Sequence, residues 1–258
     1  MTSTLLGLNR YFEVLLSDTE LLVSTLEPEN LTAPIESCPG WSLADLGYHV
    51  GDVARFWNWV VTSGAMSVDG EPDFPRPPDA ELAEWFRAGV RQLVATLRTA
   101  DPALPTWFWK ADQGTVADIC RRYPHEVSVH RWDAQHAVCQ QSASNQPNPI
   151  ASDLASDGVS ELFFLHSTHP VRGTLPSATR VALHATDTGY LWECWLDHDS
   201  LLRTAVVEAP PPVAVTISGP AHDLLLLLWR RMSLDAPALR IAGDLDVARA
   251  FVALAELD

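Results

Sequence analysis

The sequence predicts a protein in two parts: an N-terminal antiparallel four-helix bundle over residues 1–145, then a smaller α+β domain over residues 150–258. Three observations predict this. In the first half, apolar residues recur at helical spacing in four blocks separated by Pro- and Gly-bearing loops. In the second half the pattern turns to short strand-like runs such as Tyr190-Leu191-Trp192-Glu193-Cys194-Trp195-Leu196. Between them, residues 142–149 (SASNQPNP) have the polar, proline-bearing composition of a domain boundary. At 258 residues the chain is long enough for two modest cores.

The elements follow in order. Leu5, Leu8, Phe12, Leu15, Leu16, Leu22 and Leu26 mark a first helix that Pro28 closes. After Cys38-Pro39-Gly40-Trp41, Ser42 is placed to cap a second helix, with Asp45 three residues on as a variant capping box. Its stripe is Leu43, Leu46, Val50, Val53, Phe56, Trp57 and Val60. Asp79 is placed to cap a third helix with Leu82, Trp85, Phe86, Val90, Leu93 and Leu97. Thr115 opens a fourth, running to about Gln140, in which Pro124 removes a backbone donor and predicts a kink or restart before Glu126. Short to medium connections favour antiparallel neighbours. Beyond the boundary the sequence predicts a helix over Asp153–Leu165 and strands over Arg180–Ala185 and Tyr190–Leu196. A strand over Val213–Ser218, a largely buried helix over Ala221–Met232 and a short strand over Leu239–Ile241 follow. A last helix is capped by Asp244.

The charge is -16, from 17 basic and 33 acidic residues, which repels phosphate backbones and argues against a nucleic-acid partner. The longest apolar run, Leu224–Trp229, is too short to cross a bilayer, and the N-terminal segment reads as a helix instead of an export signal. Cys38, Cys120, Cys139 and Cys194 show no C-x-x-C spacing, which leaves a zinc ribbon unsupported, and without an export signal reduced thiols in a cytoplasmic protein are expected; the acidic balance is consistent with a monomer or a homodimer.

The chemistry concentrates in Tyr123–Asp133, YPHEVSVHRWD. The zinc-protease signature spaces two histidines four apart. His125 and His130 are five apart, which is about 140° around a helix, so they diverge. Glu126 and His130 are four apart and share a face. His49, in the second helix beside Leu46, Val50 and Val53, supplies a further imidazole. Two imidazoles and one carboxylate suit a zinc ion with one position left open. Asp133, one turn beyond His130, is a candidate acceptor to orient that imidazole. His125, His136, His166, His169, His184, His198 and His222 are expected to be structural. Trp41, Trp57, Trp59 and Trp132 are expected to pack.

Residues 38–60, CPGWSLADLGYHVGDVARFWNWV, and 125–137, HEVSVHRWDAQHA, resemble two motifs of the DinB-like, mycothiol-dependent maleylpyruvate isomerase family. The stretches VTISGPAHDLLLLLWRRMSLD and LRIAGDLDVARAF are similar to the family's C-terminal domain, a sterol-carrier-like α+β fold. The resemblance implies a divalent metal, usually zinc, held by His49, Glu126 and His130. It also implies mycothiol as a nucleophilic cofactor or cosubstrate and an arginine of the second domain, for which Arg231 is the nearest match and Arg230 and Arg249 are alternatives. It implies a thiol-dependent cis–trans isomerase or S-transferase acting on a small electrophile. A zinc-dependent hydrolase on the same three residues would turn over without thiol. A non-catalytic small-molecule binding protein would hold its ligand without turnover.

Overall fold

The computed structural model describes residues 6–109, 114–142, 146–167, 171, 173–209 and 212–254. The expectations for Leu5, His169 and residues 143–145 lie outside the described residues. The chain forms two compact units, divided after Ile150. Among the described residues there are seven α-helices and a five-stranded sheet. No described helix is long and apolar enough to cross a membrane.

The first unit holds helices α1 (Leu8–Val23), α2 (Leu43–Ser63), α3 (Leu82–Thr99) and α4 (Val116–Ser142). α2 packs on α3 and α4, and α1 on α3 and α4. Their apolar stripes make the core: Tyr11, Leu15 and Leu22 from α1, Leu46, Val50 and Val60 from α2, Phe86, Val90 and Leu93 from α3, and Tyr123 and Val127 from α4. The α2–α3 contact is close at Gly51, where a Cβ would stand 2.3 Å from the Trp85 ring. That spacing holds α2 against its neighbour two residues beyond His49.

α2 begins as its sequence predicts. Asp45 N–H donates to Ser42 Oγ at 3.2 Å, while the Asp45 carboxylate accepts from Ser42 N–H at 2.9 Å. Hydrogen bonds from the Ser42 hydroxyl and amide, aided by Arg76, hold the Asp45 carboxyl down at about 2. Because the folded value lies below the ordinary 3.8, this contribution is present above about pH 4 and is lost as the pH falls toward 2. Ser42→Ala is expected to cost about 1 kcal/mol, read as a lower denaturant midpoint with an unchanged slope. α2 ends at Gly64, whose φ of 65° is the left-handed C-cap conformation.

Asp79 does not cap α3. A short 3₁₀ turn, Asp79–Glu81, precedes the helix, and Glu81 occupies the cap position without a side-chain bond. Asp79 instead accepts from Arg76 at 3.3 Å. The loop before α4 contains a small ladder that the sequence did not signal, β1 (Pro105–Thr106) antiparallel to β2 (Gly114–Thr115). α4 then runs unbroken through Pro124. The helix is stitched to its neighbours on either side of that proline. Tyr123 Oη donates to the Val50 carbonyl of α2 at 2.7 Å. Arg131 lies 3.7 Å from Asp18 of α1.

The second unit contains α5 (Ser152–Leu165), β3 (Val181–Ala185), β4 (Leu191–Leu196), β5 (Leu202–Val206), β6 (Val215–Gly219), α6 (Ala221–Leu228), β7 (Arg240–Gly243) and α7 (Leu245–Val252). The sheet order is β5-β4-β3-β6-β7. β3 and β6 pair in parallel, with Leu183 opposite Ile217, and the other pairs are antiparallel. α5 packs on α6, and α6 on β3 and β6. Asp244 caps α7 as expected, accepting from Asp246 and Val247 N–H.

In this unit β5 and the end of α6 depart from the sequence expectation. β5 was not foreseen, because Leu202-Arg203-Thr204-Ala205-Val206 has no clean alternation. α6 stops at Leu228, four residues short. Arg230 turns left-handed at φ 58°, Arg230 N–H bonds the Leu227 carbonyl at 3.0 Å and Arg231 N–H bonds the Leu226 carbonyl at 2.8 Å. That is a Schellman closure, with an arginine where glycine is usual.

Candidate metal centre

His49 stands on α2, and Glu126 and His130 stand on α4, with Glu126 three residues past Tyr123, whose bond to Val50 fastens the two helices. One ligand atom from each of these three residues lies within 4.8 Å of the other two. His49 Nε2 is 3.1 Å from Glu126 Oε1. The His49 and His130 rings meet edge to face, 5.3 Å apart at 87°. All three are half-buried, His49 the most open, with 32% of its side chain exposed against 10% for Glu126.

Charged groups flank two of the three donors. Asp133 Oδ2, fully buried, sits 3.0 Å from His130 Nδ1, so the imidazole's Nε2 is the nitrogen left to face a ligand. Arg122 Nη2 is 3.5 Å from Glu126 Oε2. Burial alone would raise the Glu126 carboxyl. The His49 hydrogen bond and the Arg122, His49 and His130 charges outweigh it and bring the group to about 2, so it is a carboxylate at neutral pH.

Donors about 2.0–2.1 Å from a tetrahedral zinc are separated by roughly 3.3 Å, so the 3.1 Å His49–Glu126 pair matches one tetrahedron edge. An ionised carboxylate, two imidazoles and an acid orienting one of them fit the chemistry of a divalent borderline ion. Asp133→Asn is expected to weaken zinc affinity by ~10–100-fold, measured by competition with a chromophoric chelator.

The remaining expectations fall as follows. His125 is buried against Tyr11, ring centroids 6.0 Å apart, and is not among the three donors. His136 stacks on Trp132 at 4.8 Å. Trp41 packs directly on His49, centroids 4.9 Å apart, so it walls the centre. Arg231 is carried by the second unit, where its Nη1 donates to the Trp229 carbonyl at 2.9 Å. Arg230 Nη2 donates to the Ala253 carbonyl and Arg249 pairs with Asp246.

Two residues beside the centre were not singled out from the sequence. Arg122 lies one turn before Glu126, a spacing that i,i+4 pairing would have flagged. Its guanidinium also lies 5.8 Å from the Trp109 ring centroid, and Trp109 packs in turn on Trp57 and Phe108. Cys38 Sγ falls within 4.8 Å of His130 and Asp133 donor atoms, and no spacing rule links positions so far apart in the chain.

Comparison with known families now bears on this arrangement. A model of the mycothiol maleylpyruvate isomerase N-terminal domain matches residues 12–135, and the MDMPI C-terminal domain matches residues 151–250. The chain belongs to the mycothiol-dependent maleylpyruvate isomerase family. Both His49 and the Glu126–His130 pair lie within the span matched to the isomerase N-terminal domain. The crystal structure of a mycothiol-dependent maleylpyruvate isomerase is similar in fold, with a TM-score of 0.62 over 94% of this chain and 97% of that one, at 12% identity. A histidine-to-alanine mutant of such an isomerase is similar over 88% of this chain and 91% of its own, with a TM-score of 0.58 and 12% identity. A comparison with curated protein sequences finds no match.

Proposed function

We propose that the protein is a zinc-dependent enzyme that uses mycothiol as its nucleophile, acting as a maleylpyruvate isomerase-like cis–trans isomerase or as a thiol S-transferase. The observation that carries this is the convergence of His49, Glu126 and His130 within 4.8 Å, in a chain of this family. On this reading the first unit is a DinB-like antiparallel four-helix bundle over residues 1–145. The second, over residues 150–258, is a sterol-carrier-like α+β domain.

His49, Glu126 and His130 would hold the metal. When bound, the ion supplies Lewis acidity that lowers the pKa of a neighbouring thiol, whose free value of about 8.5 leaves it mostly protonated at neutral pH. Asp133 fixes the His130 ring through Nδ1, which leaves Nε2 as the nitrogen that would hold a metal. The His49 hydrogen bond and the Arg122 charge keep Glu126 ionised at neutral pH, the form in which it would hold a metal. Trp41 shields one side of the His49 imidazole from water. A thiol so activated would supply the nucleophile for addition to an activated double bond of the substrate, whose conjugated carbonyl would take up the electron pair; rotation about the resulting single bond and return of that pair with loss of the thiol would give the trans product. If elimination is prevented, the same addition gives an S-conjugate. Arg231 is read as the catalytic arginine of the second unit that the family resemblance implies. Arg231→Ala is expected to lower kcat/KM by tenfold or more, about 1.4 kcal/mol of transition-state stabilisation, whereas unchanged kinetics would remove that role.

Zinc-loaded protein incubated with mycothiol and maleylpyruvate, or with other electrophilic olefins, tests the reading. Turnover is expected to need both the metal and the thiol. A product of unchanged mass identifies isomerisation, and one heavier by the thiol identifies transfer. Equal turnover without thiol would replace the reading with a zinc hydrolase, and binding without turnover would replace it with a binding protein.

A further inference from the structure

The half-buried face that holds the three donors continues beyond them. On α4, Arg122, Glu126 and His130 are half-buried at every fourth position, with fully buried residues between them. On α2, His49, Val53 and Phe56 are half-buried at helical spacing. His49 meets Glu126 and Val50 meets Tyr123, so the two helices run antiparallel here. Moving forward from His49 on α2 therefore means moving back from Glu126 on α4. Val53 and Phe56 lie on the Arg122 side of the donors, at the other end of the α4 stripe from Asp133.

Aromatic rings carry that side outward. Phe56 meets Trp57 and Trp107, with centroids 4.9 Å and 5.6 Å apart. Trp57 meets Trp109 at 5.8 Å, and the Arg122 guanidinium lies over Trp109, 5.8 Å from its ring centroid. Trp107 N–H donates to the Ala65 carbonyl, just beyond α2, at 2.9 Å. Gly114 of β2 comes so near that a Cβ there would stand 2.3 Å from Phe108 Cβ. These contacts hold the aromatic segment against α2. Each step from the rings to the donors is open to solvent: Trp109 is 37% exposed, and the side chains of Arg122 and Glu126 are 11% and 10% exposed.

We propose that Trp109, Phe56 and Arg122 form the electrophile subsite beside His49, Glu126 and His130. It takes α,β-unsaturated carboxylates that carry a flat aryl or extended conjugated substituent. The substituent lies along Trp109 and Phe56, and the Arg122 charge holds the carboxylate. This rests on the thiol-dependent reading above, whose electrophile it specifies. Indole and phenyl rings give a flat ring offset or edge contacts that a small alkyl group does not make. A guanidinium is a planar fork of five donors suited to carboxylates, and such a fork serves more than one of them. The chain as a whole, at -16, repels an anionic substrate, and Arg122 sets the opposite sign next to the donors. An apolar wall with one placed charge is the usual make-up of a small-molecule site.

Calorimetric titration of the full-length protein, zinc-loaded and metal-free, with cinnamate, crotonate and cinnamamide tests this without thiol and without turnover. Cinnamate is expected to bind about tenfold or more tighter than crotonate, which lacks the ring, and than cinnamamide, which lacks the charge. The ring preference should be lost in Trp109→Leu and kept in Trp109→Phe. The charge preference should be lost in Arg122→Gln and should persist in metal-free protein. Equal binding of cinnamate and crotonate, or a ring preference unchanged in Trp109→Leu, overturns the aromatic subsite. A charge preference that Arg122→Gln leaves intact overturns the role of Arg122, and its loss on metal removal would assign the carboxylate to the ion instead. Absent thiol-dependent turnover with both preferences intact overturns the thiol-dependent reading and leaves the subsite standing. Turnover of maleylpyruvate with neither preference overturns the subsite alone.

Discussion

His49→Ala, Glu126→Gln and His130→Ala are each expected to remove stoichiometric zinc and, with it, thiol-dependent turnover. Loss of a direct ligand is expected to exceed the ~10–100-fold penalty for losing an outer partner. Glu126→Gln is the most informative of the three, because it keeps the side chain's shape while removing the charge that Arg122, His49 and His130 stabilise. His136→Ala is the matched control. That ring stacks on Trp132 of the same helix and is not among the three donors, so zinc content should stay at the wild-type level. Atomic emission on dialysed protein reads the metal, and far-ultraviolet circular dichroism checks that the helices persist. Wild-type zinc content in any two of the three variants would remove these side chains from the metal site.

The largest stability effect is expected at Asp18. Its partner Arg131 is 1% exposed, and burial pulls the guanidinium below its usual range while Asp18 opposes that shift. Arg131 also donates to Gln135 Oε1 at 3.0 Å, to the Asn148 carbonyl and to the Pro149 carbonyl at 3.3 Å. One buried cation therefore ties α1, α4 and the segment that follows α4. Asp18→Ala leaves that cation without its counter-charge and is expected to cost roughly 3–5 kcal/mol. Replacing both residues, Asp18→Leu with Arg131→Met, should cost less than Asp18→Ala alone, since no charge is stranded. Denaturant unfolding of the three proteins reads the difference. A loss below about 1 kcal/mol for Asp18→Ala would mean that the carbonyl contacts suffice for the guanidinium.

The helices were legible because burial follows period. Leu46, Val50, Phe86, Val90 and Leu93 are all in the core of the first unit, as their spacing requires. The Ser42–Asp45 box and the Asp244 cap were readable because a cap is decided within four residues. What escaped depends on partners distant in the chain. β5 is recognisable through its pairing with β4, not through Leu202-Arg203-Thr204-Ala205-Val206 itself. The parallel β3–β6 ladder joins Val181–Ala185 to Val215–Gly219, and no local pattern specifies that register. Asp79 has the residue type of a cap, yet Arg76 and a 3₁₀ turn take it elsewhere.

The candidate centre divides along the same line. Glu126 and His130 declare themselves by i,i+4 spacing, and Asp133 by its place one turn on. His49 was found because an imidazole interrupts an apolar stripe. Cys38 was invisible, because its approach to His130 is made by a turn on the far side of the unit's sequence. The four-residue offset of Arg122 from Glu126 was present in the sequence, but the pairing acquires meaning through the second carboxylate oxygen that it meets.

Zinc K-edge X-ray absorption on zinc-supplemented, dialysed, thiol-free protein tests the central claim most directly, because it reads both the amount of metal and its ligands. The expected result is about one zinc per chain with a shell of nitrogen and oxygen near ~2.0–2.1 Å and the outer-scattering signature of two imidazoles. A zinc content far below one per chain, or a shell without imidazole, would contradict it.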